Sequence, residues 1–411
     1  MAQTLPVPTP HEITGPALAG TTETMVLNMG PHHPSTHGVL RLVVELDGEV
    51  VVNVAADVGF LHTGIEKTME SRTYQQAVVL TDRMDYLAPL SNNLSYALAV
   101  EKLIGVEIPE RAQTIRVLMV ELQRISSHLV WLGTHALDLA AMSVFLYAFR
   151  EREQILDLFE LVSGARLMTS YIRVGGLAYD LPADFLPTVD TFLKRMPACV
   201  DEYEALLTGN PLWLERTVGV GIIDAEAAVA YGLTGANLRA TGIPYDVRKA
   251  MPYTGYESYD FAIPVGKQGD IYDRYRVRMA EMRQSISLCR QAWERLNAMP
   301  PGNFQTADRR IMPPPKSEIT HSMEALIHHF KLWTEGFKPP QGDAYMSIES
   351  PRGILGCYVV SDGGPKPWRV HFRSPSFISL QSLAHMGKGR LMADLVALIA
   401  SLDPVLGEVD R

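Results

Sequence analysis

In RISSHLVWLGTHALD, residues 124–138, charged and aromatic residues recur with helical spacing. Arg124, His128, Trp131, His135 and Asp138 are separated by 4, 3, 4 and 3 positions, which places all five on one face of an α-helix. The residues between them are largely apolar. The stripe is therefore either a solvent-facing band or a polar line inside a helical bundle. Trp131 in its middle argues against free exposure, and a buried line requires its charges to be paired or hydrogen-bonded. Both readings stay open on the sequence alone.

Outward from this stretch the same period continues. The helix starts near Pro109 and runs to Gly133 or beyond. Upstream, SNNLSYALAVEKLIG reads as a capped amphipathic helix ended by Gly105; downstream, FREREQILDLFELVSG reads as another. Helices with turns follow over about 190–233, then one more long helix in DIYDRYRVRMAEMRQSISLCRQAWERLNAM. PPGNFQTADRRIMPPPKSE is a loop, because Pro313–Pro315 cannot sit inside a regular element. SMEALIHHFKLWTEGF is again helical. Strand-like alternation is confined to the two ends. VLRLVVEL and EVVVNVAADV flank the turn signal Asp47-Gly48, and GCYVVSDGG with WRVHFRSP forms a second hairpin-like unit. The expected class is mainly α with small β layers (α+β). Residues 1–24 read as an extended arm and 25–411 as one domain, with a β unit at 25–65, a helical core at 66–300 and an α+β part at 301–411.

Composition excludes several roles. Hydrophobic residues make up 47% and charged residues 20% of 411, which suits a globular protein with a sizeable core. The formal charge is −9, and the basic cluster RMAEMR is interrupted by Glu281, so no nucleic-acid partner is expected. Cys199, Cys289 and Cys357 are too far apart in sequence to offer a Cys-x-x-Cys metal or cluster site. The opening residues lack the apolar run and basic start of a signal peptide, and LAAMSVFLYAF (Leu139–Phe149) is too short to cross a bilayer. GVGII at Gly219–Ile223 lacks the remaining features of a dinucleotide cradle.

Two loops hold candidate chemistry. GPHHPSTHGV, residues 30–39, carries three histidines that could bind a metal, form a hydrogen-bonded polar turn, or present one of them, best His37 beside Gly38, to a ligand as a proton donor. His32 and His33 are adjacent and point oppositely in an extended chain, which weakens the metal reading. DRMDYLAPLSNN places Arg83, Asp85 and Tyr86 just before a helix, where Tyr86 is either a packing or a site residue.

GPHHPSTHGVLRL, DVGFLHTGIEKTME, DRMDYLAPLSNNLSYALAVEKL, YDVRKAMPYTGYESYDF and the tail ASLDPVLGEVDR together resemble the D (49-kDa-type) subunits of respiratory complex I, the NADH:quinone oxidoreductase. The resemblance runs from about Met25 to Arg411. It implies a long-helix core related to the large subunits of nickel–iron hydrogenases. Those hold their metals with two Cys-x-x-Cys pairs near the chain ends; the corresponding GFLHTG and DPVLGEVDR contain no cysteine, so thiolate ligation is impossible and no metal is expected. A membrane-bound hydrogenase subunit is thereby disfavoured, and so is a non-catalytic scaffold, because the motif residues are present.

By the resemblance, the emptied cavity is a quinone headgroup site. His37 and Tyr86 contact the quinone carbonyls, and Asp138 lies behind His37. Arg83 and Met168 lie near the terminal tetranuclear iron–sulfur cluster of a partner subunit. The other partners implied are the remaining peripheral-arm and membrane-arm subunits, with the chain peripheral on the cytoplasmic side of a bacterial membrane. Quinone is the substrate, and the iron–sulfur clusters belong to partner subunits alone. Ionising an ordinary Tyr at pH 7 costs about 4 kcal/mol, whereas protonating an ordinary His costs about 0.7 kcal/mol. His37 is thus the readier proton source and Tyr86 chiefly a positioning hydrogen-bond donor.

Two departures from the family pattern stand out. ARLM places Met168 where the family's A-R-M-H motif has a histidine. Since Met cannot titrate, the terminal cluster is expected to have a nearly pH-independent potential; a slope approaching about 59 mV per pH unit would refute this. PRGILG has Ile354 where the family usually has Glu, a change without a functional account.

Overall fold

The computed structural model describes residues 24–32 and 38–411. The expected N-terminal arm lies almost wholly outside the described residues, and His33 and His37 lie outside them as well.

The first sheet is antiparallel, in the order β1 (Met25–Met29), β2 (Arg41–Asp47), β3 (Val50–Asp57). The predicted hairpin at Asp47-Gly48 is its β2–β3 pair, with a register irregularity at Glu45/Leu46. On β2, Leu42, Val44 and Leu46 face inward, the alternation expected when one face of a sheet is covered. β1 adds a third strand that the hairpin reading did not include.

The helical core begins with α1 (Ile65–Met69), α2 (Tyr74–Thr81) and α3 (Pro89–Ile104). α3 starts two residues before the predicted Ser cap, because Pro89 needs no N–H partner in a first turn, and it ends at Gly105 in the left-handed conformation. α4 spans Glu110–Asp138, 29 residues or roughly 44 Å, with most of its surface buried. α5 (Met142–Ser163) folds back against it, so the apolar run 139–149 straddles a helix–helix turn. A short ribbon, β4 (Ile172–Arg173) with β5 (Gly176–Leu177), follows.

Next come α6 (Phe185–Leu207), α7 (Pro211–Thr217), α8 (Ala225–Ala230), α9 (Ala236–Arg239) and α10 (Val247–Ala250). α11 (Ile271–Ala298), capped by the Asp270 side chain, packs along α4 and α6. After the proline loop come α12 (Lys316–Ile319) and α13 (Met323–Thr334).

The C-terminal sheet has the order β6 (Gly342–Ser350), β7 (Gly353–Ser361), β8 (Arg369–Arg373), again one strand more than its predicted hairpin. Four helices follow: α14 (Pro375–Gln381), α15 (Leu383–Gly387), α16 (Met392–Leu402) and α17 (Leu406–Asp410). They bring distant parts of the chain together, for the Val51 N–H donates to the Arg390 carbonyl at 2.8 Å and the Met392 N–H to the Glu49 carbonyl at 3.0 Å. The first sheet thus packs on α15 and α16, in a second hydrophobic core beside the main helical one. Leu139, directly after α4, touches both cores.

The stripe on α4 resolves as a polar line inside the bundle. Arg124, His128, Trp131 and His135 are all buried, and Asp138 is half-buried at the helix end. Arg124 donates to Glu121 Oε2 at 3.1 Å and to the Glu349 carbonyl at 2.6 Å. His128 Nε2 meets Glu281 Oε2 at 3.0 Å, and Trp131 Nε1 donates to the Ala400 carbonyl at 2.9 Å. His135 packs between the rings of Trp131 and Trp213.

Candidate functional site

The segments 59–64 and 403–411, far apart in sequence, interlock. The Asp410 carboxylate accepts the Gly59 N–H at 2.8 Å and the Leu61 N–H at 2.6 Å, while His62 Nδ1 lies 2.6 Å from the Asp410 carbonyl. This clasp ties α17 to the loop before α1, and the same helix lies against the loop before α3. Gly407 makes the fit possible: a Cβ there would lie 2.3 Å from the Met84 carbonyl oxygen and 3.0 Å from Tyr86 Cδ1. Only hydrogen fits between the tail and the Tyr86 ring. A Cβ at Gly38 would meet the side chain of Leu406, the neighbouring residue of α17, at 3.8 Å. The residue that ends the histidine loop therefore lies beside the same short helix as Tyr86.

Beneath Tyr86 is a buried ionic cluster. Arg352, in the turn between β6 and β7, donates from Nη1 to Asp85 Oδ2 at 2.7 Å and to Ser127 Oγ at 2.8 Å, and from Nη2 to Asp403 Oδ1 at 3.4 Å. Burial raises the Asp85 carboxyl above its usual range despite Arg352. Glu408, on α17, is pushed up to about 8 by burial and then by Asp85. Burial, and next the Asp85 charge, also raise the Tyr86 phenol. Asp403 adopts the left-handed conformation at the end of α16. That helix end is held from three sides by Trp131 on Ala400, Arg278 Nη1 on the Ser401 carbonyl at 2.7 Å, and Arg274 Nε on Ser401 Oγ at 3.1 Å. Cations at a helix C-terminus also suit its dipole.

A second edge forms around Asp82. Its carboxylate accepts the Ser170 N–H at 3.1 Å and hydroxyl, and Asn93 Nδ2 at 2.7 Å. This ties the turn after Met168 to the loop carrying Arg83. Arg83 is exposed and Met168 half-buried, so both reach the surface of one edge.

The candidate residues are thus placed unequally. Tyr86 meets the tail, and Arg83 and Met168 share an edge. Asp138 ends α4 next to Leu139, which touches both cores, and His37 is outside the described residues. Arg352, Asp403, Glu408 and Asp82 escaped the sequence reading. The available signal was charge within otherwise apolar surroundings, as in ESPRG and DPVLGEVDR. Among the described residues, no group of three His, Cys, Asp or Glu side chains converges as a metal site, and no helix is long and apolar enough to cross a membrane.

The fold and the interlocked segments define a hydrogenase-large-subunit-like protein: the model of the nickel-dependent hydrogenase family matches residues 63–157. The model for the respiratory-chain NADH dehydrogenase 49 Kd subunit matches residues 138–411. The chain is 80% identical to the D 2 subunit of the NADH-quinone oxidoreductase of Chloroflexus aurantiacus over the full length of both. It is 76% identical to the D 2 subunit of the Roseiflexus sp. enzyme, covering 100% of this chain and 98% of that one. With the D subunit of the Geotalea uraniireducens enzyme the identity is 56%, over 95% and 99%. The chain belongs to the 49-kDa (D) subunit family of respiratory NADH-quinone oxidoreductase.

Proposed function

We propose that this chain builds the quinone headgroup site of a proton-pumping NADH:quinone oxidoreductase, where electrons from a partner's terminal iron–sulfur cluster reduce quinone to quinol. The observation that carries this reading is the Gly407 wedge, which sets Tyr86 against the cysteine-free tail, with Gly38 beside Leu406 of the same helix. Arg83 and Met168, on the edge held by Asp82, would face the cluster-bearing subunit. The remaining peripheral-arm and membrane-arm subunits complete the assembly, with this chain peripheral on the cytoplasmic face.

Quinone reduction takes two electrons and two protons. The raised Tyr86 phenol makes a free phenolate costlier than the about 4 kcal/mol of an ordinary tyrosine at pH 7. Tyr86 is therefore a hydrogen-bond donor that positions one quinone oxygen. His37, with Asp138 behind it, supplies a proton at the other. The test is Tyr86→Phe in membranes, with an artificial acceptor that draws electrons upstream as a control. Quinone reduction should fall while the upstream reaction and assembly survive. Unchanged quinone reduction would reduce Tyr86 to a packing residue and remove the basis of the site.

A further inference from the structure

One guanidinium, that of Arg352, is shared by three carboxyl groups directly beneath Tyr86. Asp85 and Asp403 touch it, and Glu408 acts on it through space, as does the Tyr86 hydroxyl. All three acids are buried. One cation cannot hold three carboxylates ionised in so dry a place, so the cluster keeps a proton, shared according to which acid has the poorest partners.

That acid is Glu408. Its Oε1 accepts the Ser376 N–H of α14 at 3.1 Å, the Ser376 hydroxyl also acts on the carboxyl, and its Oε2 is buried with no hydrogen-bond partner among the described residues. The donors of a single serine are little support for a buried carboxylate, whereas a neutral carboxyl tolerates them. The charged groups around it point the same way. Asp85 opposes ionisation and Arg352 favours it. Arg373, at the end of β8, is within electrostatic range but spends both Nη groups on the Ile354 and Gly232 carbonyls. On its own helix, Asp410 is engaged with Gly59 and Leu61, and Arg411 Nη1 donates to the Phe372 carbonyl. Burial and Asp85 together push Glu408 up to about 8, in agreement with the count of charges.

We propose that Glu408 stores the second proton of quinone reduction and acts, through the Asp85–Arg352 cluster, to reload Tyr86. The proposal rests on the headgroup reading above and deepens it. Tyr86 passes its O–H proton to one quinone oxygen, forming one quinol O–H bond. The proton that leaves Glu408 moves by way of Asp85 to the Tyr86 oxygen, so no free phenolate accumulates. The other proton comes from His37, and the two electrons arrive one at a time from the partner's terminal iron–sulfur cluster, which is re-reduced between them. Glu408, left as a carboxylate, regains its proton from water. Glu408 is a positioning and supplying residue, not one that touches quinone.

The experiment is the pH profile of quinone reduction by the assembled complex, with the upstream acceptor as a control, for the unaltered protein and for Glu408→Gln, Glu408→Asp and Tyr86→Phe. The unaltered complex should lose quinone reduction, and not the upstream reaction, as pH rises through about 8. Glu408→Gln, which cannot give up a proton, should be slower by about tenfold or more and lose that alkaline limb. Glu408→Asp should restore a limb. Should Glu408→Gln fail to assemble, the infrared difference spectrum of the unaltered complex on quinone reduction decides. A deuterium-sensitive protonated-carboxyl band, shifted in Glu408→Asp, supports the store, and its absence overturns it. Full activity with an unchanged limb in Glu408→Gln overturns the store as well. If Tyr86→Phe alone slows quinone reduction, the headgroup reading survives that loss; if neither variant slows it, both readings fall.

Discussion

Among the described residues, two buried ionic clusters with several acids each are built to opposite ends. The first, between α4, α9, α10, α11 and β6, sets Arg124, Arg239 and Arg248 against Glu121, Asp246, Glu281 and Glu349. Glu121 there accepts from Arg124, Arg248, Tyr256 and Ser285, and Asp246 accepts from Arg248 through both oxygens. Although burial opposes it, those cations hold Glu121 and Asp246 down to about 2 and Glu281 lower still. Glu349 alone is raised, by burial and by Asp246. His128, desolvated, is held below its ordinary range and stays neutral beside Glu281. The second cluster gives three acids one arginine, and it raises two of them. Near-balanced charges fix acids in the ionised state and serve the scaffold. Unbalanced charges favour the neutral form of an acid, and that imbalance lies beside Tyr86.

The strongest way to break this contrast is to remove one arginine from each cluster. Arg239→Met strands Glu281 and Glu349, removes a longer ion pair to Asp246 and a bond to the Tyr245 carbonyl, and should cost about 3–5 kcal/mol. Arg352→Met should cost less, because Asp85 and Glu408 already lean towards the neutral form. Thermal melts of the assembled complex compare the two; the reverse order would end the distinction between the clusters.

The pH dependence sharpens it with opposite signs. Glu121 ionises near 2 when folded and near 4.5 when unfolded. Its stabilisation, on the order of 3 kcal/mol, is present above about 4.5 and is lost as pH falls towards 2. Glu408 behaves inversely: between 4.5 and about 8 the folded chain keeps a proton that the unfolded chain releases, so stability declines as pH rises. Glu408→Gln should abolish the second slope and leave the acid limb intact in melts across pH; a retained alkaline slope would assign it elsewhere.

The smallest effect probes the wedge rather than the charges. Gly407→Ala forces a methyl against the Met84 carbonyl and should cost about 1–3 kcal/mol. Quinone reduction should drop more than the upstream reaction. Equal losses in both would mean that the wedge supports the fold and not the placement of Tyr86.

How much of this was legible in the sequence depended on range. Period and punctuation located α4 and α11 closely, because Pro109, Asp270 and the 3.6-residue repeat act locally. The same local signals failed at β1 and β6, whose pairing is set by partners rather than by their own turn residues. The α4 stripe could be seen but not placed, since only the carbonyls of α16 and the acids of α11 show which way it faces. The family resemblance supplied Tyr86, Arg83, Met168, Asp138 and His37. It was silent on Arg352 and Glu408, whose meaning lies in contacts spanning 267 residues between Asp85 and Arg352 and 32 between Ser376 and Glu408.

The clasp by Asp410 also has a consequence in time. Its partner Gly59 is separated from it by 351 residues, so a ribosome working at about 5–20 residues per second leaves the early loop waiting roughly 20–70 s for its counterpart. During that interval the N-terminal sheet lacks the strand-side contacts of Arg390 and Met392 as well. A nascent chain that ends between Tyr86 and Leu406 carries Gly38 and Tyr86 but lacks the α17 residues that lie beside both. Synthesis of segment 403–411 thus acts as a checkpoint, and incorporation into the complex should follow it rather than accompany the earlier stages of translation.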